Sequence, residues 1–282
     1  MTNRFFLGNF FLTLFKKTSN NPIKNWAGVL DLTEDTQKHI KPIKEQLESN
    51  KPHEDDYLFF KNFPTCLMLD IGANAGSSAI STYIVNKKIK VISFEPNVLL
   101  KRILECVKGL IPSYKYYMFG LSSKECFTNL YIPVVDNAYI TPLASMDKSI
   151  YSRKQDKERL KSFSQDGTFK IATIKTQFKK LDSLNLTPRI IKIDAEESEL
   201  DILYGGEETI IKHKPVLMIE NNSKTTKIDK YLSKIGYTKW CYNKKLNLLI
   251  KPSNKISSCN SFYVYKNDTI LKKYSQNPKK DF

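Results

Sequence analysis

Apolar residues fall in short runs along the middle of the chain, and each run closes on a polar or acidic residue. Leu67-Met68-Leu69-Asp70-Ile71 is followed by glycines, and Lys90-Val91-Ile92-Ser93-Phe94-Glu95-Pro96 ends on an acid and a proline. Tyr116-Tyr117-Met118-Phe119-Gly120, Ile190-Ile191-Lys192-Ile193-Asp194 and Val216-Leu217-Met218-Ile219-Glu220 complete the set. Between them, Ser77 to Val85, Val98 to Leu110 and Ser198 to Ile211 carry helical spacing. Runs this continuous suit parallel strands buried on both faces, and their alternation with helices predicts an α/β sheet covered on two sides. Beyond Gly236, Tyr237 to Tyr242 and Ser261 to Lys266 alternate apolar and polar positions, as strands at a sheet end would.

Two stretches break the rhythm. Residues 1–62 precede the first strand and read as a helical cap, and within them Arg4 to Lys17 is aromatic and apolar between basic ends. That stretch suits a packed helix or a membrane-surface helix, with a cleaved signal as the weaker alternative. Residues 122–180 read as an insert, with a hairpin around Phe127 to Val134 and a charged loop or exposed helix from Ser152 to Lys170. The organisation expected is thus a cap (1–62), a catalytic domain (63–270) and a polar tail (271–282).

The chain has 282 residues and a formal net charge of +16, from 45 Lys+Arg against 29 Asp+Glu. A basic chain invites a nucleic-acid or anionic-membrane partner. Here only Arg4, Arg102, Arg153, Arg159 and Arg189 are arginine, and lysine is the less specific phosphate ligand. Nucleic acid is therefore the minor expectation, and peripheral membrane contact is assigned to residues 4–17. Five cysteines without a paired spacing point to a reducing, cytoplasmic setting.

In an open parallel sheet, ligands bind at the carboxyl ends of the strands. Asp70, Glu95, Asp194 and Glu220 all fall there. Asp70-Ile71-Gly72-Ala73-Asn74-Ala75-Gly76 lets the backbone turn sharply out of the first strand. Glu95 follows Gly76 by nineteen residues, the spacing of an acid that accepts hydrogen bonds from a ribose. An acid at the loop entrance would repel the pyrophosphate of a dinucleotide but suits a sulfonium and an ammonium. Charge therefore favours S-adenosylmethionine over NAD.

DIGANAG (70–76), FEPN (94–97), GLSSKE (120–125), LDSL (181–184), IKIDAEESELDILYGG (191–206) and KPVLMIEN (214–221) together resemble the FkbM-type methyltransferases, across about residues 65–265. The resemblance implies a three-layer Rossmann-like sheet of about seven strands with the last antiparallel, and methylation of a hydroxyl on a sugar, glycolipid or related metabolite. It implies that Asp70, Gly72, Asn74 and Gly76 line the methionine half of the cofactor. Glu95, Pro96 and Asn97 would hold the ribose, and Gly120, Leu121 and Ser122 would flank the adenine. Asp194 and Glu196 would face the acceptor. The family pattern IDxEGxE has glycine where this chain has Glu197, a departure that bears on the acceptor pocket.

A sugar hydroxyl needs a general base or a metal to give up its proton. Asp194, Glu196 and Glu197 are the candidate bases. Asp194, Glu220 and Asn221 form a hard-oxygen set that would suit Mg²⁺, against the alternative that Glu220 and Asn221 contact substrate or cap a helix. His53 is a candidate lid residue, and Asp182 a candidate cap. Competing functions are an RNA ribose 2′-O-methyltransferase, with Lys192 beside Asp194 as its lysine, and a degenerate fold retained as a scaffold.

Overall fold

The computed structural model describes residues 29–31, 36–252 and 260–274; the aromatic segment 4–17 lies outside them. In chain order the strands are β1 (Val29–Asp31), β2 (Cys66–Ile71), β3 (Ile89–Phe94), β4 (Tyr114–Tyr117), β5 (Gly120–Leu121), β6 (Cys126–Val135), β7 (Ala138–Ile140), β8 (Lys170–Lys179), β9 (Ile190–Ile193), β10 (Val216–Glu220), β11 (Tyr237–Asn243), β12 (Leu248–Ile250) and β13 (Asn260–Tyr265). The helices are α1 (Thr36–Ser49), α2 (Ser77–Val85), α3 (Lys101–Leu110), α4 (Lys154–Phe163), α5 (Glu199–Gly205), α6 (Glu207–His213), α7 (Thr225–Lys234) and α8 (Thr269–Tyr274). A 3₁₀ helix, Asp55–Asn62, leads into β2.

The larger sheet has the order β12-β11-β13-β10-β9-β2-β3-β4. β2 pairs in parallel with β3 and β9, β9 with β10, and β3 with β4, while β13 runs antiparallel between β10 and β11. The seven expected strands are present with the last reversed, and the short β12 adds an eighth through its pairing with β11. The core follows from period-two alternation. Met68, Met218 and Phe262 point into one apolar cluster with Ile80, Ile103 and Val107; Leu69, Leu217 and Tyr263 point into the other with Ile202, Ile228 and Leu232. All four residues of β9 are buried, as a central strand covered on both faces requires.

A second sheet of order β1-β7-β6-β8-β5 lies beside it and departs from the sequence expectations. The expected all-helical cap contributes a strand, since Val29 pairs with Ile140. Phe127 to Val134 is one continuous strand rather than a hairpin. The turn comes later, at Asp136 and Asn137, whose φ values of 47° and 65° suit a two-residue turn between Val135 and Ala138. β6 pairs with β8 from Cys126↔Phe178 to Val134↔Lys170. The aromatic run 116–120 is divided, because β4 ends at Tyr117 and Gly120 joins β8 in the second sheet. The helix expected over 198–211 breaks at Gly205-Gly206. A Cβ on Gly205 would lie 2.0 Å from the Ser122 carbonyl oxygen, so the packing of 122–123 on this point requires glycine. The charged stretch after Ser152 is helical as α4, with Leu160 buried beneath it.

Candidate active site

The parallel strands β2, β3, β9 and β10 bring the ends Asp70, Glu95, Asp194 and Glu220 to one edge of the sheet. Gly72 has φ +85°, and a Cβ there would sit 1.8 Å from the Asp194 carbonyl oxygen, so the β2 loop can pass under the β9 loop only with glycine. Asn74 (φ 46°) and Gly76 (φ +87°) continue the turn into α2.

Glu95 ties this loop to its own. One carboxylate oxygen accepts the backbone N–H of Asn74 and the other that of Asn97, both at 2.8 Å. Burial pushes the Glu95 carboxyl up to about 7, against the lowering effect of those two N–H groups. The second sheet grips the same turns: Thr141 donates to the Asn74 side chain at 3.0 Å and Thr176 to the Pro96 carbonyl at 2.8 Å. Gly72, Asn74, Gly76, Glu95, Pro96 and Asn97 are thus brought together. Asp70 is not on that surface. It is fully buried, accepts a hydrogen bond from Ser93 at 2.7 Å and lies 3.6 Å from the Lys192 ammonium. Its acidity holds the sheet interior together and is not presented to a ligand. Gly120 and Leu121 are buried in β5, where a Cβ on Gly120 would meet the Phe178 ring at 2.2 Å, and Ser122 N–H donates to the Lys179 carbonyl. Their glycine-first pattern therefore has a packing reason.

The β9 and β10 ends form an acid cluster around one cation. Lys192 is 3% exposed and lies 3.1 Å from Asp194 as well as beside Asp70. Burial alone would lower its pKa, but Asp194 and the neighbouring groups raise it well above the lysine value, and it stays charged. Burial acts to raise Asp194, yet Lys192 and a hydrogen bond from Glu220 outweigh it and hold Asp194 below the usual carboxylate range. Glu220 is driven the other way, by burial and then by Asp194, so the pair shares a proton that resides on Glu220. Burial, with Asp194 and Glu199 adding to it, raises Glu196 to about 8. Glu199 is fully buried and accepts from the Ala195 N–H at 3.0 Å and from the Asn222 side chain. Asp194, Glu196 and Glu220 are half-buried, so part of each carboxyl is accessible at this edge.

Glu197 has a different position from the one expected of a base. Arg153, at the start of α4, holds both its oxygens at 2.9 and 3.0 Å, and Ser223 donates to one of them at 3.0 Å. Lys224 donates to its backbone carbonyl. With these bonds to its carboxylate, Glu197 docks the insert and is not available to take a proton. Glu196 and Glu197 have φ values of 46° and 71°, in the left-handed region, which explains why glycine suits the second position.

The Mg²⁺ set does not fit. Among the described residues no three His, Cys, Asp or Glu side chains are arranged to hold a metal. Asn221 gives its side-chain oxygen to Ser261 at 2.6 Å, and the Lys192 ammonium stands against Asp194 where a cation would sit. Asp182 accepts from Thr209 N–H at 2.8 Å and caps α6. Arg153, Thr141 and Thr176 carried no local sequence signal, because each reaches the site across more than forty residues of chain. Among the described residues no helix is long and apolar enough to cross a membrane.

The methyltransferase FkbM domain family matches residues 70–239. Among solved structures the chain is similar to methyltransferase FkbM from Methylobacillus flagellatus KT (18% identity, 71% of this chain and 44% of that one, TM-score 0.44). It is also similar to precorrin-6y C5,15-methyltransferase from Geobacter metallireducens GS-15 (10%, 74% and 84%, TM-score 0.38) and to an rRNA methylase from Streptococcus thermophilus (11%, 74% and 90%, TM-score 0.35). The chain spans less than half the length of the first of these. Among curated proteins no sequence matches it.

Proposed function

The chain belongs to the FkbM methyltransferase family, and from that premise we propose that it transfers a methyl group from S-adenosylmethionine to a hydroxyl of a carbohydrate, glycolipid or related polyol. The observation that carries the acceptor class is the group of half-buried carboxyls, Asp194, Glu196 and Glu220, at the ends of β9 and β10. Asp194, ionised, accepts hydrogen bonds from hydroxyls and repels phosphate, and the Glu196 and Glu220 carboxyls add polar oxygens beside it.

The residues present fit the cofactor. Glu95 has a free lone-pair direction on each oxygen beyond its two backbone bonds, which suits two ribose hydroxyls. Gly72 and Gly76 let the loop turn tightly at the sheet edge, packed against the β9 loop and α3. S-adenosylmethionine supplies an electrophilic methyl carbon on a sulfonium, so the protein's task is alignment and proton removal. Glu196, raised to about 8, matches the need for a base near the working pH. Asp194, kept ionised by Lys192, orders the acceptor hydroxyl toward that base and favours the cationic donor. No step is routed through a metal.

The test is transfer of radiolabelled methyl groups to a panel of methyl glycosides, oligosaccharides, glycolipids and capped RNA. Label is expected in neutral hydroxyl compounds; label confined to RNA, or none at all, would overturn the reading.

A further inference from the structure

The segment before β2 brings a histidine within electrostatic reach of Asp194, and its hydrogen bonds fix where the ring proton lies. Ser81, on α2, is fully buried. Its Oγ accepts the backbone N–H of His53 at 3.0 Å and the Nε2–H of Gln46 at 2.8 Å. The Gln46 amide cannot be reversed, because the same nitrogen donates to the Ser77 carbonyl at 3.0 Å. With both lone pairs engaged, the Ser81 hydroxyl directs its own proton to the remaining neighbour, His53 Nδ1, at 2.6 Å. Nδ1 is therefore an acceptor, and the neutral ring carries its proton on Nε2.

The ring packs on Tyr57, with centroids 5.0 Å apart, and lies within electrostatic reach of Lys192, Asp194, Asp70 and Glu54. Burial holds its pKa below the ordinary histidine value. The His53 residue is exposed, and among the described residues Nε2 has no hydrogen-bond partner. An unpartnered N–H donor therefore lies near the Asp194 end of this sheet edge.

We propose that His53 is an acceptor-binding residue, its Nε2–H donating to an oxygen of the polyol held beside Asp194. A hydroxyl both donates and accepts. Ionised Asp194, and Glu196 in the ionised form that acts as a base, satisfy only its donor half; the Glu220 proton is given to Asp194, and the Lys192 ammonium is 3% exposed and engaged by Asp70 and Asp194. His53 supplies the missing donor without adding a charge that would oppose the cationic cofactor. This inference rests on the reading of the acceptor as a hydroxyl compound.

Two variants separate the donor from the ring. Asparagine in His53→Asn can keep the Ser81 contact at the Nδ1 position but has no donor at Nε2, whereas His53→Gln places an amide nitrogen there. With the glycoside the wild type methylates best, His53→Asn is expected to raise the acceptor KM about five- to tenfold, the loss of one neutral hydrogen bond. The dissociation constant for S-adenosylmethionine should move less than about twofold by the same measure, and His53→Gln should restore much of the acceptor affinity. An unchanged acceptor KM in His53→Asn, or an equal loss of cofactor affinity, overturns the proposal. Nitrogen-15 NMR decides the tautomer independently of any acceptor, since the chain has three histidines and His53 is assigned by the signal lost in His53→Asn. An Nε2–H ring at pH 7 supports the proposal; an Nδ1–H or charged ring overturns it. A wild type inactive on every glycoside defeats the function proposed above and leaves the NMR result to judge His53.

Discussion

Glu95 shows how much one side chain does at this sheet edge. Its carboxylate closes the turns on both sides of the ribose position, and burial raises it to about 7, so it is only half ionised at neutral pH. Glu95→Ala is expected to weaken S-adenosylmethionine binding by roughly 1.5–3 kcal/mol, as for hydrogen bonds to a charged group. Wild-type affinity should rise between pH 6 and 8 as the carboxylate forms. Calorimetry reads both, and a variant that binds as tightly as the wild type would remove Glu95 from the cofactor site. Glu196 is the second residue whose protonation sits in the working range. Glu196→Gln should lower kcat by roughly 10²–10⁴-fold and abolish the rising limb of the pH–rate profile near 8, leaving cofactor affinity in place. A profile that keeps this limb would transfer the base role elsewhere.

At the scale of elements, the β9 loop turns through two consecutive left-handed residues, Glu196 and Glu197. An L-residue there costs about 1–2 kcal/mol, whereas an ion pair such as Arg153–Glu197, 41% and 24% exposed, contributes about 0.2–1 kcal/mol. The two effects nearly cancel on replacing Glu197 by glycine. Glu197→Gly should therefore leave stability within about 1 kcal/mol of wild type by urea unfolding, while hydrogen exchange quickens at the start of α4. A loss beyond about 2 kcal/mol would refute the strain argument. The strands behind this loop were legible because buried parallel strands read as apolar runs, and their acids marked the edge without any knowledge of neighbours. The second sheet was not legible in the same way. β6 and β8 alternate exposed and buried positions with many lysines and threonines, and β1 takes its meaning from pairing with Ile140, over a hundred residues away. Asp70 was placed by its motif on the ligand surface, yet its side chain turns inward to Lys192, a contact only the folded sheet defines. His53 belongs to the same class, since no spacing in the sequence links it to Ser81 or Asp194.

For the molecule as a whole, the raised carboxylates make stability depend on pH in a direction opposite to that of most acids. Glu95 and Glu196 keep protons in the folded state up to about 7 and about 8 that the unfolded chain releases near its ordinary value of 4.5. The native state then binds more protons than the unfolded one between these limits, and stability falls as pH rises from about 5 to 8. The decline should be on the order of a few kcal/mol without cofactor, read from urea midpoints. Asp194 and Glu197, held low by Lys192 and Arg153, act only below about pH 4.5. His53, held below its ordinary value, acts the opposite way at about pH 6, so a midpoint that is flat or rising between about pH 6.5 and 8 would show that neither Glu95 nor Glu196 is raised. The position of β2 between β3 and β9 also orders the birth of the protein. β3 and β4 follow β2 from the ribosome at once, but the strand that brings Lys192 to Asp70 is more than a hundred residues later. At about 5–20 residues per second, the nascent chain carries the β2–β4 half of its sheet for several seconds before β9 arrives, with Asp70 still lacking its counter-ion. The second sheet is synthesised during that wait. The acceptor half can therefore be assembled only onto a chain whose insert has already emerged.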